Sequence, residues 1–237
     1  MYRLFHEFAH RYDLHTPPGH YKHDHAFVIS EALRVAPEGC RLLDVGCGTG
    51  VFLEAALASG IDAYGLDASA EMIEVAARRV GTGRVRVQRM QELDEVETYD
   101  VVCSLSWTIH YAGSLAELED VIARCRRALR RHGLLILQVA NDAAMTGAVN
   151  IDVEVGPAGE PNDTYFIHRF RPLHDVESRV IADYVYANRA SRELFVEQHD
   201  LRFAQPAHIV DACARAGFGD ISVVKSASIS PFVVSTR

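Results

Sequence analysis

Apolar and polar positions follow two rhythms along this chain, and the change of rhythm divides it. Between Arg41 and Asn141, short apolar runs alternate with stretches whose apolar residues recur three and four apart, which predicts strands alternating with amphipathic helices. "RLLDV" at 41–45 reads as a buried strand and "TGVFLEAALASG" as a helix closed by Gly60. "DAYGLD" is the next strand, after which Ser69 caps a helix with Met72, Val75, Ala76 and Val80 on one stripe, ending at Gly81. "RVRVQRM" is a third strand and "YDVVCSL" a fourth. Ser114 and Glu117 form a capping box for a helix that turns Leu118, Val121, Ile122, Cys125 and Leu129 inward and ends at Gly133. "LLILQVA" is the fifth strand. This order predicts an α/β fold, a doubly wound and mostly parallel sheet with helices on both faces.

After Asn141 the period becomes two. Segments 148–155, 164–171, 179–187 and 193–203 read as antiparallel strands inserted after the fifth strand. Phe166, His168 and Phe170 point one way in the second of them, and Tyr165, Ile167 and Arg169 the other. Val180, Ala182, Tyr184 and Tyr186 share a face in the third. A helix at 206–216, closed by Gly217, and the strands "DISVVKS" and "PFVVST" complete a seven-stranded sheet. At the other end, residues 2–13 predict a helix with Phe5, Phe8 and Tyr12 on one face and His6, His10 and Asp13 on another. "TPPG" at 16–19 breaks it, and a second helix runs from about Asp24 to Ala36. The expected division is an N-terminal helical cap at 1–37, a core at 38–141 and 204–237, and an antiparallel lid at 142–203.

Composition narrows the class. The 237 residues are 49% hydrophobic and 24% charged, an ordinary globular balance. No apolar run reaches the ~18 residues of a membrane span, and the N-terminus lacks the basic-then-apolar order of a signal peptide. A cytoplasmic protein is expected, with no membrane partner. The five cysteines, Cys40, Cys47, Cys103, Cys125 and Cys213, form no C-x-x-C pair and read as reduced thiols. A net charge of −8 argues against nucleic acid as a partner. The basic run "RCRRALRRH" at 124–132 reads as a solvated helix face with its cations near the C-terminus.

Two motifs compete for the chemistry. "HEFAH" at 6–10 fits H-E-x-x-H, in which two histidines one helical turn apart ligate zinc and the glutamate is the base. A zincin helix lies against strands that precede it, yet only five residues precede His6. The extended metzincin pattern needs a glycine at 13 and a histidine at 16, where this chain has Asp13 and Thr16. The stretch therefore reads as an amphipathic helix with its histidines on the wet side, and no metal is expected. The second motif is "LLDVGCGTG" at 42–50, with glycines at 46, 48 and 50 between a strand and a helix start. Such glycines let backbone approach a ligand, and the helix start favours an anion. The dinucleotide spacing G-x-G-x-x-G fails at Val51. Asp44 at the strand end suits a cation such as an α-ammonium group, and Asp67 at the end of the second strand suits the two hydroxyls of a ribose.

D-x-G-x-G-x-G followed by an acidic residue at the end of the second strand resembles the class I S-adenosylmethionine-dependent methyltransferases. The resemblance covers about residues 20–140, and returns in "LRRHGLLIL" and "AGFGDISVV". It implies a Rossmann-like fold and S-adenosylmethionine as cofactor. It places Gly46, Cys47 and Gly48 along the methionine moiety, Asp67 on the ribose, and Ala68 and Met72 beside the adenine. In "RMQEL", Gln91 or Glu92 meets the adenine amine. "SLSWTIHYAG", from Ser104 to Gly113, lines the cofactor and acceptor sites. Small-molecule members cover the site with N-terminal helices, which makes Tyr12, Tyr21 and His25 contacts with cofactor or acceptor.

Methyl transfer from a sulfonium is an in-line displacement, so alignment and water exclusion dominate. His110 is the expected general base, with His168 second and Tyr21 a further candidate. Trp107, Tyr111, Tyr184 and Tyr186 are expected to form an aromatic wall, and Arg169 and Arg171 to receive an acceptor carboxylate. The expected activity is transfer to a nitrogen or oxygen of a small molecule, such as an amino acid, a sugar or a secondary metabolite. The alternatives are an RNA or protein methyltransferase, or a non-catalytic cofactor-binding partner subunit. Against the RNA or protein alternative, the [DN]-P-P-[YFW] motif of amino-group methylation on nucleic bases or glutamine is absent, the chain reading "SLSW" there. A homodimer is compatible with this reading.

Overall fold

A computed structural model describes residues 2–15, 19, 21–141, 149–154, 164–173, 178–189, 191–225 and 230–237. Residues 16–18 of the expected break, and the first and last residues of the expected strand 148–155, lie outside the described residues. Among the described residues there are eleven strands: β1 (Arg41–Val45), β2 (Asp62–Asp67), β3 (Val85–Val87), β4 (Tyr99–Ser104), β5 (Leu129–Gln138), β6 (Val149–Glu154), β7 (Thr164–Pro172), β8 (Arg179–Asn188), β9 (Glu193–Arg202), β10 (Gly219–Val224) and β11 (Phe232–Thr236). The helices are α1 (Tyr12–His15), α2 (Lys22–Val35), α3 (Val51–Ala58), α4 (Ala70–Val80), α5 (Leu115–Ala128) and α6 (Pro206–Ala216).

The main sheet has the order β10-β11-β5-β4-β1-β2-β3, parallel except where β11 runs antiparallel to β5 and β10. Its strands are apolar on both faces because both faces are covered. Leu43, Val102, Leu135 and Leu137 meet α5 and α6 through Leu118, Val121, Ile122 and Ile209. Leu42, Val101, Leu134 and Ile136 pack in the opposite core with Val28 of α2, Phe52 and Leu53 of α3, and Ile73 and Ala76 of α4. The chain winds outward from β1 in both directions, through β2 and β3 on one side and β4 and β5 on the other. Such a reversal leaves a crevice at the carboxyl ends of the strands between β1 and β4.

The second sheet, β6-β7-β8-β9, is antiparallel throughout. Every second residue of β8 is buried, from Val180 to Asn188, and these face the crevice side with Phe170, Phe195 and Leu201. Among the described residues no helix is long and apolar enough to cross a membrane.

Three local expectations change. Residues 2–13 do not form one helix: short 3-10 turns at Arg3–Phe5 and Ala9–Arg11 lead into the single turn of α1. The cause is tertiary. The N–H groups of Arg3 and Leu4 donate to the Glu197 carboxylate at 2.6 and 2.9 Å, and the Phe5 carbonyl accepts from the Ser69 hydroxyl at 2.5 Å. A helix would need that carbonyl for residue 9. The geometry that H-E-x-x-H requires is therefore missing, since it depends on a continuous helix. The aromatic face does persist, with Phe5, Phe8 and Tyr12 packed on the buried Leu4, Tyr186 and Phe195. Second, the third strand shortens to Val85–Val87 and gives way to a 3-10 turn at Met90–Glu92. Third, α5 stops at Ala128, and Gly133 lies inside β5, where a side chain would press on the Asp100 carbonyl.

Candidate functional site

The glycine loop fills the crevice where the sheet reverses. After β1 the N–H groups of Gly46 and Cys47 both donate to the Leu66 carbonyl of β2, at 2.8 and 2.9 Å, which pins the loop to the neighbouring strand. Gly46 has φ +82, and a side chain there would collide with Thr108 at 2.2 Å. Only glycine tolerates both the dihedral and the approach. The Cys47 side chain turns down against Gly65 and is buried. Gly48 also has positive φ, but the space a side chain would fill is open for 4 Å, so its backbone faces a cradle.

The segment after β4 closes the other wall. Ser106 and Trp107 hold left-handed φ values of 48 and 62, a strained conformation for a bulky side chain. Hydrogen bonds fix it: the Ser106 N–H donates to Gln138 Oε1 at 2.8 Å, and the Trp107 indole donates to Ser230 at 2.9 Å. Gln138 in turn donates to Asp24 of α2 at 2.7 Å. A 3-10 turn follows at Thr108–Tyr111. Side chains three apart eclipse in a 3-10 turn, so Tyr111 stands on the same side of the turn as Thr108.

Two carboxylates lie behind this loop, and they differ. Asp67 is engaged by backbone: Gly48 N–H donates to Oδ2 at 3.0 Å and Ser69 N–H to Oδ1 at 2.9 Å. Burial raises its pKa, against the pull of those N–H groups. Asp44 is 2% exposed, and its hydrogen bond comes from the weakly donating Cys103 thiol at 3.7 Å. Burial lifts it to about 7, with Asp67 adding to the rise and the Cys103 thiol opposing it. Among the described residues no cation pairs with Asp44. A buried carboxyl in that condition, beside an open backbone cradle, fits a ligand that carries an ammonium group. The residues that could hold an aminoacyl nucleoside are therefore Asp44, Gly46, Gly48 and Asp67.

The remaining expected contacts are scattered. Ala68 is exposed beside Asp67, whereas Met72 is 1% exposed and its N–H is capped by Ser69 at 3.1 Å. Glu92 is exposed and accepts from the Arg89 N–H of its own turn at 3.3 Å, while Gln91 is half-buried. The buried Ser104 hydroxyl donates to the Val45 carbonyl at 2.9 Å, so it fastens β4 to β1 and is not presented to the crevice. His110 departs most from expectation. Its Nδ1 lies 2.8 Å from the Arg202 carbonyl and its Nε2 accepts the Ala140 N–H at 3.0 Å. It is 1% exposed, and burial lowers it to about 4. Both nitrogens are occupied by backbone, so His110 ties the 108–111 turn to the segment after β5 and to β9 and offers no free nitrogen as a base.

The second sheet supplies the upper wall. Trp107 meets Phe170 at 4.9 Å, and Tyr111, Tyr184 and Phe166 complete an aromatic cluster around Phe170. Tyr186 lies outside that cluster, packed with Phe8 and Phe195. His168 stands in the aromatic face between Phe166 and Phe170, at 5.7 and 5.3 Å. Arg169 and Arg171 occupy the opposite face, both paired with Asp183 at 2.9 and 2.6 Å. They are turned away from the crevice and do not form the expected carboxylate receptor. Tyr12 and Tyr21 do approach the site: burial raises the phenol pKa of Tyr111 and of Tyr184, and Tyr12 adds to the rise at Tyr111 as Tyr21 does at Tyr184. His25 packs on Phe52 at 5.3 Å, and burial lowers its pKa.

The N-terminal segment joins the two walls. Asp13 accepts from Thr49 of the glycine loop at 2.6 Å and from Arg79 of α4 at 2.5 Å. His6 lies 2.6 Å from Glu71 of α4, and Arg11 pairs with Glu193 of β9.

Two polar residues that sequence reading left without a role stand on the inner face of β9. Glu197 Oε2 lies 2.9 Å from His199 Nε2, and His199 Nδ1 lies 2.7 Å from the Tyr111 hydroxyl. The His199 side chain is fully buried, under the ring of Tyr2 stacked at 3.8 Å. The available signal was the two-residue period, which puts Phe195, Glu197, His199 and Leu201 on one face of a strand.

Comparison with known proteins agrees with this geometry. A family model described as a methyltransferase domain matches residues 42–133. A ubiquinone biosynthesis O-methyltransferase of Mesorhizobium japonicum is 32% identical over 109 residues, 44% of this chain and 42% of that protein. A dTDP-4-amino-2,3,4,6-tetradeoxy-D-glucose N,N-dimethyltransferase of Saccharopolyspora spinosa is 33% identical over 102 residues, 43% of this chain and 41% of that protein. The matches thus span about two fifths of those curated relatives. Among solved structures, CalS10, an amino pentose methyltransferase from Micromonospora echinaspora solved with S-adenosylmethionine bound, superposes with a TM-score of 0.76 and 26% identity over 91% of each chain. With the order of the main sheet, the glycine loop and the strand-end carboxylates Asp44 and Asp67, these matches identify residues 42–133 as a methyltransferase domain of the class I S-adenosylmethionine-dependent type.

Proposed function

We propose that this protein transfers a methyl group from S-adenosylmethionine to an amine nitrogen of a small molecule, with an amino sugar as the favoured acceptor class. The observation that carries the cofactor half is the buried Asp44, lifted to about 7 behind the open backbone of Gly48. S-adenosylmethionine supplies an activated methyl group on a sulfonium. The chain's own residues hold and orient. Asp44 takes the ammonium, the loop from Gly46 to Gly48 follows the methionine chain, and Asp67 takes the ribose, with Ala68 and Met72 beside the adenine and Gln91 better placed than Glu92 for its amine. The described residues of the N-terminal cap cover the crevice and those of the second sheet form the lid that excludes water, which strengthens each polar contact inside.

The acceptor half is supported by the inner face of the second sheet. Among the described residues that face carries Glu197, histidines and tyrosines but no Lys or Arg, because Arg169, Arg171, Arg179 and Arg202 all pair with acids on the other face. Such a surface favours a neutral or cationic acceptor over a carboxylate. The likeness to CalS10 extends over 91% of the chain, which takes in part of the second sheet, whereas the likeness to the O-methyltransferase covers 44%. Secondary metabolism and a cytoplasmic setting accord with such an acceptor, and neither nucleic acid nor a partner subunit is required. The test is transfer from radiolabelled S-adenosylmethionine by the full chain to dTDP-linked 4-amino-deoxysugars, to hydroxylated analogues and to RNA. Transfer confined to the amines supports the reading. Absence of binding heat with S-adenosylhomocysteine would sink it.

A further inference from the structure

We propose that Tyr111 is the group that receives the acceptor's proton, with His199 and Glu197 behind it as a relay that the N-terminal segment completes. This rests on the amine-methylation reading above and names the residues of that site.

Hydrogen counting fixes the direction of the chain. A carboxylate only accepts, so the Glu197–His199 contact at 2.9 Å places the imidazole proton on Nε2. Nδ1 of the neutral ring is then bare and accepts from the Tyr111 hydroxyl at 2.7 Å. Tyr111 has a single proton, and with that proton directed at His199 its oxygen accepts from the Tyr184 hydroxyl, to which it is hydrogen-bonded, and keeps one lone pair for the acceptor. The arrangement matches a hydroxyl–imidazole–carboxylate triad, with a phenol in place of the serine. Its position follows from the 3-10 turn: Thr108 abuts Gly46 of the glycine loop, and Tyr111 stands on the same side one turn later.

The proton balance is simple. As the amine nitrogen bonds to the methyl carbon, the methyl–sulfur bond breaks and its electron pair stays on sulfur. The nitrogen becomes cationic and gives its N–H proton to the Tyr111 oxygen, while the Tyr111 proton passes to His199 Nδ1. The imidazolium formed lies against Glu197, and Tyr111 remains a neutral phenol throughout. His199 returns the proton to solvent after the products have left.

Residues 2–4 hold the relay together. The Arg3 and Leu4 N–H groups donate to both Glu197 oxygens at 2.6 and 2.9 Å, and the Tyr2 hydroxyl accepts from the Asp200 N–H at 3.0 Å while its ring covers His199. Docking of the N-terminal segment thus both shields the imidazole and sets the carboxylate. The groups that face His199 are Tyr111 from the 108–111 turn, Tyr184 from β8, Tyr2 from the N-terminal turn and Glu197 on its own strand, with Arg3 near enough to Glu197 to interact. Burial lowers the His199 pKa and Glu197 opposes this, so the ring is neutral and able to accept at neutral pH.

The test compares wild type, Tyr111→Phe, Glu197→Gln and His199→Gln in the full chain. Tyr111→Phe should lower kcat for a dTDP-linked 4-amino-deoxysugar about a hundredfold, the ordinary worth of a general base, with S-adenosylhomocysteine affinity by calorimetry within about twofold of wild type. Wild-type kcat should fall on the acid side as His199 gains a proton. Glu197→Gln should move that limb to lower pH, because the carboxylate that favours the imidazolium is gone. Nitrogen NMR of histidine-labelled protein should show His199 protonated on Nε2 alone, a readout independent of turnover. Tyr111→Phe with near-normal kcat and an unchanged pH profile would overturn the relay while methyl transfer stands, as would the opposite His199 tautomer. A wild type that binds S-adenosylhomocysteine yet methylates no amine overturns the amine reading and the relay together.

Discussion

Replacing Asp44 by asparagine separates what this carboxylate costs the fold from what it does for the ligand. In the folded chain burial raises the carboxyl from 3.8 to about 7. At about 1.4 kcal/mol per pH unit, that gap amounts to about 4 kcal/mol. Between pH 3.8 and about 7 the folded state binds more protons at this residue than the unfolded state does. Stability is therefore fully present below the lower value, falls through the window as pH rises, and is flat above it. Asp44→Asn removes this slope. The amide placed in the same pocket leaves a group poorly satisfied at a cost of about 1–3 kcal/mol, but that cost does not vary with pH. Denaturant unfolding across the window should thus show the variant gaining on wild type by up to about 4 kcal/mol as pH rises. Binding supplies a second measure. An ammonium drawn against Asp44 forces it to ionise, so S-adenosylhomocysteine binding should release about half a proton at pH 7 and about nine-tenths at pH 6. Calorimetry in buffers of differing ionisation enthalpy reads this number directly. Parallel stability curves for the two proteins, or equal proton release, would refute the assignment of Asp44 to the ligand's ammonium.

The other expectations concern the loop and the histidine. Asp67→Ala removes the acceptor for Gly48 and Ser69 together with the proposed ribose contact, and S-adenosylhomocysteine affinity by calorimetry should drop at least about tenfold. Gly46→Ala must relieve both a φ of +82 and a clash with Thr108, so its unfolding free energy should fall by about 2–4 kcal/mol, with partial recovery on adding Thr108→Ser. For His110, burial depresses the pKa from 6.5 to about 4, so its contribution to stability is present above 6.5 and is lost as pH falls toward 4. The loss reaches about 3 kcal/mol and should vanish in His110→Asn, whose turnover per folded molecule stays within about threefold of wild type; a hundredfold loss in that variant would restore His110 as the base.

The sequence alone determined the features that are local along the chain. An apolar run followed by Asp44 and the glycines at 46, 48 and 50 fixes a strand, a turn and a helix start, and the same holds for Asp67 at the end of β2. Each depends on dihedral freedom and on periods of two or 3.6, which neighbouring residues decide. The strand-and-helix order of residues 41–138 and the antiparallel character of 164–202 follow from the same rule. What only the tertiary structure decided is which face of each element looks into the crevice. Strand alternation puts Arg169 and Arg171 opposite Phe166 and Phe170, and Glu197 and His199 beside Phe195, but it does not say which set turns inward. That depends on pairing with strands far away in sequence and on the aromatic residues waiting above the glycine loop. The N-terminal segment shows the same limit: its helical pattern yields because Ser69 claims the Phe5 carbonyl that a helix would need. His110 loses its expected role for this reason too, since the carbonyl of Arg202 and the amide of Ala140 occupy its ring only once the two sheets meet.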